Sequence, residues 1–179
     1  MSILIVGDDK YPEEGLVTHM TGTDYPFDVA AFIPKDISED IDAFRRIICL
    51  IYGTDKAKNQ IASWTTNGSS GVDVALELKN KCIILANQKD NTETIKTFLT
   101  DRPDFQTVIL LGYKAVQLKK SLKECLPKSK IVRYPHPSER SADGMYWGKI
   151  DYCKKTPKYD NQVKLIDVFE EFRKNNNIK

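Results

Sequence analysis

Four short, mainly apolar runs most narrow what this chain can fold into. They are Ile3-Leu4-Ile5-Val6-Gly7, Lys81 to Asn87, Thr107 to Gly112, and Ile131 to Tyr134. Continuous β-branched runs of this length are the pattern of strands buried on both faces, as in parallel sheets. Between them lie segments of helical period. Ile41, Phe44, Ile48 and Ile51 share one face, although Ile47 to Tyr52 alone would also pass as a strand. Asp36 with Glu39 offers a capping box ahead of that segment. Val72 to Lys79, Asn91 to Leu99, Tyr113 to Leu122 and Asn161 to Lys174 read as further helices, and Asn67 to Gly71 as a turn. Strands alternating with helices give an α/β protein with a central four-stranded, mainly parallel sheet. Lys10 to Lys35, rich in Pro, Gly, Thr and Asp with Tyr25, Phe27 and Phe32 interleaved, reads as one long loop.

Composition excludes several classes. A chain of 179 residues with 41% hydrophobic and 29% charged residues is expected to form one domain over 1–179. The net charge of +2 gives no bulk attraction for nucleic acid, so any such contact must come from a local basic patch. Lys114, Lys119, Lys120, Lys123, Lys128 and Lys130 could form one, although charge runs are more often solvated helix faces. No apolar run reaches the roughly 20 residues of a membrane span, and the N-terminus lacks a signal-peptide pattern. Cys49, Cys82, Cys125 and Cys153 form no CxxC pair, which argues against metal ligation and for a reduced, intracellular protein.

In an open α/β sheet, ligands bind beyond the carboxyl ends of the strands. The first run is followed by Asp8 and Asp9, the second ends in Asn87, and the fourth leads into Pro135-His136-Pro137. The two prolines stiffen the backbone on either side of the histidine. An acid, an amide and an imidazole thus collect at one expected edge. Taken singly, each has an ordinary structural explanation as a strand end, a turn residue or a surface histidine. His19, the other histidine, lies in the loop with nothing to distinguish it.

In order and spacing these segments resemble the uracil-DNA glycosylase superfamily. Gly7-Asp8-Asp9-Lys10-Tyr11-Pro12 is similar to the motif Gly-Gln-Asp-Pro-Tyr-His, and Cys82 to Asn87 to the strand ending in the uracil-reading asparagine. Val108 to Gln117 resembles the next strand and helix, and Pro135-His136-Pro137-Ser138-Glu139-Arg140-Ser141-Ala142 the closing motif His-Pro-Ser-Pro-Leu-Ser-Ala. Gly144 to Gly148 resembles the aromatic-glycine stretch after it.

The resemblance implies a three-layer sandwich and a monofunctional DNA glycosylase that flips a uracil-like base out of single- or double-stranded DNA. It implies no metal or cofactor and no membrane, and the protein is expected to act as a monomer. By position, Asp9 would position the attacking water and His136 would donate to O2 of the departing base. Asn87 would read the O4/N3 edge, which takes a group that donates and accepts at once. Asp8 and Tyr11 would line the pocket, with Tyr11 beside C5, and Phe27 is the candidate stacking aromatic. Ser138, Arg140 and Ser141 would meet DNA.

The chain departs from the pattern at Asp8, where the family has glutamine, at Lys10, where it has proline, and at Arg140, where it has a wedge leucine. These departures keep open an alternative, a catalytically inactive DNA- or partner-binding protein with the same fold. The Asp8-Asp9 pair also resembles the Mg²⁺-holding acids of receiver domains, a reading that leaves Asn87 and His136 without a task.

Overall fold

The computed structural model describes residues 2–7, 17–39, 41–87, 92–101, 105–137, 165–176 and 178. The four apolar runs are strands β1 (Ser2–Gly7), β4 (Ile83–Asn87), β5 (Phe105–Leu111) and β6 (Lys130–Tyr134). They pair in the order β4-β1-β5-β6, and every pairing is parallel. Ile3, Leu4, Ile5 and Val6 of β1 are fully buried, which is why that run contains no polar residue. Because all four strands point the same way, their carboxyl ends share one edge. Gly7 lies opposite Asn87, and Leu111 opposite Tyr134.

The first crossover leaves β1 toward β4, and the later ones return past β1 to β5 and β6. With right-handed crossovers the helices divide between the two faces of the sheet, an arrangement compatible with three layers. Helices α1 (Asp42–Tyr52), α2 (Thr54–Thr66) and α3 (Gly71–Asn80) connect β1 to β4 through a hairpin. Helix α4 (Thr92–Thr100) follows β4, and α5 (Tyr113–Val116) and α6 (Lys119–Cys125) follow β5. Helix α7 (Leu165–Asn175) packs on α1 through the buried Phe169 and Phe172. Its Arg173 donates from Nη1 to the Leu50 carbonyl at 2.6 Å, which satisfies the carboxyl end of α1. β1 and β5 are neighbours in the sheet whose outgoing connections run in opposite directions, toward β4 and β6, and such a point opens a crevice at the sheet's carboxyl edge.

The structure corrects several expectations. The segment expected as one long loop contains an antiparallel hairpin, β2 (Val17–His19) with β3 (Val29–Pro34). β3 is buried along its whole length, and Tyr25 in the connecting turn covers the outer edge of β4. Its hydroxyl accepts from the Leu85 N–H at 2.8 Å and donates to the Leu85 carbonyl at 3.0 Å. An edge strand so covered cannot template another chain.

Asp36 caps no helix. Its Oδ1 accepts from the N–H and hydroxyl of Ser38, and α1 begins after Ile41 without a side-chain cap. The capping box lies instead at α3, where Ser70 and Asp73 bond reciprocally. Helix α2 has a largely polar sequence and draws its packing from the buried Ala57 and Trp64. The helix expected over 113–122 is divided at Gln117 and Leu118, and residues 161–164 of the last expected helix lie outside the described residues.

A polar cluster ties α1, α2 and α3 together. Glu77 Oε2 accepts from Trp64 Nε1 at 2.6 Å, and Glu77 Oε1 accepts from Lys81 Nζ at 2.6 Å. Lys81 also donates to the Tyr52 hydroxyl at 2.8 Å. Burial opposes the Glu77 charge, but the hydrogen bonds from Lys81 and Trp64 outweigh it and hold the carboxyl below the ordinary glutamate range. A lowered folded-state pKa contributes stability above the unfolded value, near 4.3, and that contribution disappears as pH falls through the lower folded value. Urea unfolding should therefore show Glu77→Gln less stable than wild type at pH 7, with the gap closing toward pH 3. A gap that held constant across that range would remove Glu77 as its source.

Candidate functional site

Asn87 is the last residue of β4 and is 2% exposed, with its amide oxygen buried. The adjacent strand end is Gly7. A side chain there would collide, since an added Cβ would lie 2.6 Å from Cζ of Phe32. Phe32 itself is buried and holds φ at +67°, a left-handed backbone that large side chains seldom adopt. Strain of this kind persists only where surrounding structure imposes it, and it gathers at functional sites. On its other side the Phe32 ring meets His136, with centroids 5.6 Å apart and planes inclined at 48°.

His136 stands two residues beyond β6, half-buried between the buried Pro135 and Pro137. The loop is held from below by α1. Arg46, 5% exposed on the buried side of α1, donates from Nη1 to the Pro137 carbonyl at 2.5 Å. A guanidinium taken out of water is strongly disfavoured unless hydrogen-bonded, so this contact fixes both the arginine and the loop it supports. Between β1 and β6, Gly112 turns the chain off β5 at φ +98°, while its N–H still reaches the Tyr134 carbonyl at 2.9 Å. Tyr113 follows at once, 75% exposed.

Of the residues expected at the site, the structure brings Asn87 and His136 to the same edge of the sheet. Asp8, Asp9, Tyr11, Ser138, Arg140 and Ser141 lie outside the described residues. Phe27 requires correction. Its ring packs edge-on against Phe98 at 5.1 Å, and Phe98 packs against Phe105 at 5.3 Å. Phe105 pairs with Ser2 at the amino-terminal end of the sheet, about 20 Å from the carboxyl edge at strand rise. Phe32, from the same stretch, is the ring that lies at the carboxyl edge, against Gly7 and His136. His19 is exposed on the hairpin, where it pairs with Val29.

Sequence reasoning missed Phe32, Arg46 and Tyr113 as site residues. Arg46 carried a readable signal, a charge next to the apolar run Ile47 to Ile51 and within one helical turn of Ala43 and Leu50. Phe32 carried none, because a left-handed φ at a non-glycine residue comes from tertiary packing.

Gly7→Ala tests the Phe32 wedge. Overpacking of this kind costs about 1–3 kcal/mol, and denaturant unfolding should show that loss. Phe32→Leu in the Gly7→Ala background should recover part of it. No loss for Gly7→Ala would mean that Phe32 does not fill the space above Gly7.

The chain matches no family model, no curated protein and no solved structure. No described helix is long and apolar enough to cross a membrane.

Proposed function

We propose that this chain is a DNA glycosylase that takes a uracil-type base into the crevice at the carboxyl edge of the sheet and hydrolyses its N-glycosidic bond. The observation that carries the reading is the convergence of Asn87 and His136 at one edge, with Phe32 held under strain between Gly7 and His136. β4 and β6 are three strand spacings apart, about 14 Å at backbone level. Two side chains reaching inward and one pyrimidine-sized ring fill such a span.

In this reading Asn87 donates to and accepts from the base edge, and Phe32 supports the pocket from the side of the hairpin. His136 donates to O2 as the C1′–N1 bond breaks and the base leaves with the bonding pair. Asp9 orients the water that bonds to C1′ and accepts its proton, with Asp8 and Tyr11 beside it. Ser138, Arg140 and Ser141 follow His136 in sequence and contact the DNA around the vacated base. No step requires a metal or cofactor.

Alkali-induced cleavage of an oligonucleotide carrying one uracil, lost in Asp9→Asn and His136→Ala, is the expected result. Failure to release uracil or any other modified pyrimidine, from single- or double-stranded DNA, would overturn the reading. Tight DNA binding without release would leave the inactive DNA-binding alternative.

A further inference from the structure

We propose that Tyr113 and the lysine-bearing side of α5 and α6 form a track for single-stranded DNA that leads away from the crevice, with Tyr113 stacking on a base. That this base neighbours the flipped nucleotide rests on the function proposed above; the strand binding does not.

Among the described residues Tyr113 is the one large hydrophobic side chain left exposed, at 75%. It is placed where the connections from β1 and β5 diverge, one residue past Gly112, whose backbone is still bonded to Tyr134 of β6. Tyr113 and Gln117 are four apart and Gln117 and Lys120 three apart, so they lie along one side of the nearly continuous helical backbone of α5 and α6. Beside them lies an open concavity of about 560 Å³, lined by Val116, Gln117, Lys119, Lys120, Lys123 and Glu124.

The charge of the molecule is concentrated here. Residues 112–130 hold six lysines and one glutamate, a net +5 in a chain whose total is +2. The remainder is therefore net acidic, and a polyanion is directed to this side. Lys114 and Lys120 are exposed, whereas Lys123 reaches back to the carbonyls of Pro127 and Ser129 at 3.2 Å. The stretch contains no arginine, which disfavours bidentate reading of a phosphopeptide and suits point-charge tracking of a phosphate backbone. A lone exposed ring is too little apolar surface for a lipid bilayer, but it matches a nucleobase face. Bases in a single strand offer free faces, and those in a duplex do not.

The test is fluorescence anisotropy with a labelled mixed-sequence oligodeoxynucleotide that contains no uracil or other modified base. Wild type should bind the single strand more tightly than the same sequence as a duplex or as RNA. Tyr113→Ala should weaken binding about 10-fold, within the range for loss of one stacked base, and Tyr113→Phe should retain it. Lys114→Gln and Lys120→Gln should each flatten the slope of log affinity against log salt by about 0.7. Tyr113 is exposed, so these variants keep the fold, which circular dichroism checks.

Unchanged affinity in Tyr113→Ala, preference for duplex or RNA, or an unaltered salt slope in both lysine variants would overturn the proposal. Base release by wild type with unchanged affinity in Tyr113→Ala would sink this inference and leave the glycosylase reading standing. The reverse pattern, with affinity lost in Tyr113→Ala and no base release by wild type, would do the opposite.

Discussion

His136→Ala should lower the single-turnover rate of base release by about 10²- to 10³-fold, the usual effect of losing one donor to developing negative charge. In the proposed reaction the base becomes anionic only as its bond to the sugar breaks, so the donor acts in the transition state more than in the bound complex. The rate at saturating DNA should therefore fall while the half-saturating concentration changes little. Asn87→Ala should affect both, because the amide reads the base edge in the bound state as well. Arg46→Met is the informative companion. It removes the donor beneath the Pro137 carbonyl without touching the imidazole, and a hydrogen bond from a charged group contributes about 1.5–3 kcal/mol to stability. A reduced rate in Arg46→Met at a temperature where the variant is fully folded identifies Arg46 as a residue that positions His136. An undiminished rate in His136→Ala would remove the histidine from the chemistry.

Gly71→Ala should be among the most destabilising single-methyl additions in the molecule. At a helix start, replacing glycine with alanine ordinarily stabilises by about 0.5–1 kcal/mol through the unfolded chain. Here an added Cβ would lie 2.0 Å from Thr18 Oγ1 and 2.2 Å from the Pro34 carbonyl oxygen. One of these is backbone, held in β3, and Thr18 itself donates to that same carbonyl at 2.8 Å. Neither neighbour can move without lifting the hairpin off α3. Overpacking costs of about 1–3 kcal/mol or more therefore exceed the gain, and denaturant unfolding should show a net loss of about 2 kcal/mol. Thr18→Ala should not restore stability, because the Pro34 oxygen stays in place. A neutral or stabilising Gly71→Ala would mean that the hairpin is not seated on the start of α3.

The same hairpin marks where the sequence stops being readable. β1, β4 and β5 were legible because a strand buried on both faces has to be a continuous apolar run, and β6, an edge strand with Lys130 and Arg133, from its shorter Ile131-Val132 core; the residues at their ends follow from the rule for parallel sheets. β2 is three residues long and β3 contains two alanines, with a turn of Thr, Gly, Asp and Pro between them. What holds them is tertiary: Thr18 on Pro34, Tyr25 on Leu85, and Lys79 paired with Asp24.

Phe27 and Phe32 illustrate the limit most clearly. Both are aromatic residues in the same polar stretch, and the Tyr25-Pro26-Phe27 run favoured Phe27 even though its spacing from Tyr11 is long. The positive φ of Phe32 sends its ring to Gly7 and His136, while the ring of Phe27 joins Phe98 near the other end of the sheet. No local pattern encodes that choice. At α1 the difficulty was different, since the charge of Arg46 on a buried helix was visible but its partner, 91 residues away at Pro137, was not.

A crystal structure of the protein with an abasic-site duplex and free uracil tests the central claim most directly. The account predicts the pyrimidine at the carboxyl edge of the sheet, its O4/N3 edge on the Asn87 carboxamide and its O2 within hydrogen-bond distance of the His136 imidazole, with Phe32 against the ring. Uracil bound elsewhere, or DNA crossing a face of the protein that leaves Asn87 and His136 untouched, would contradict it.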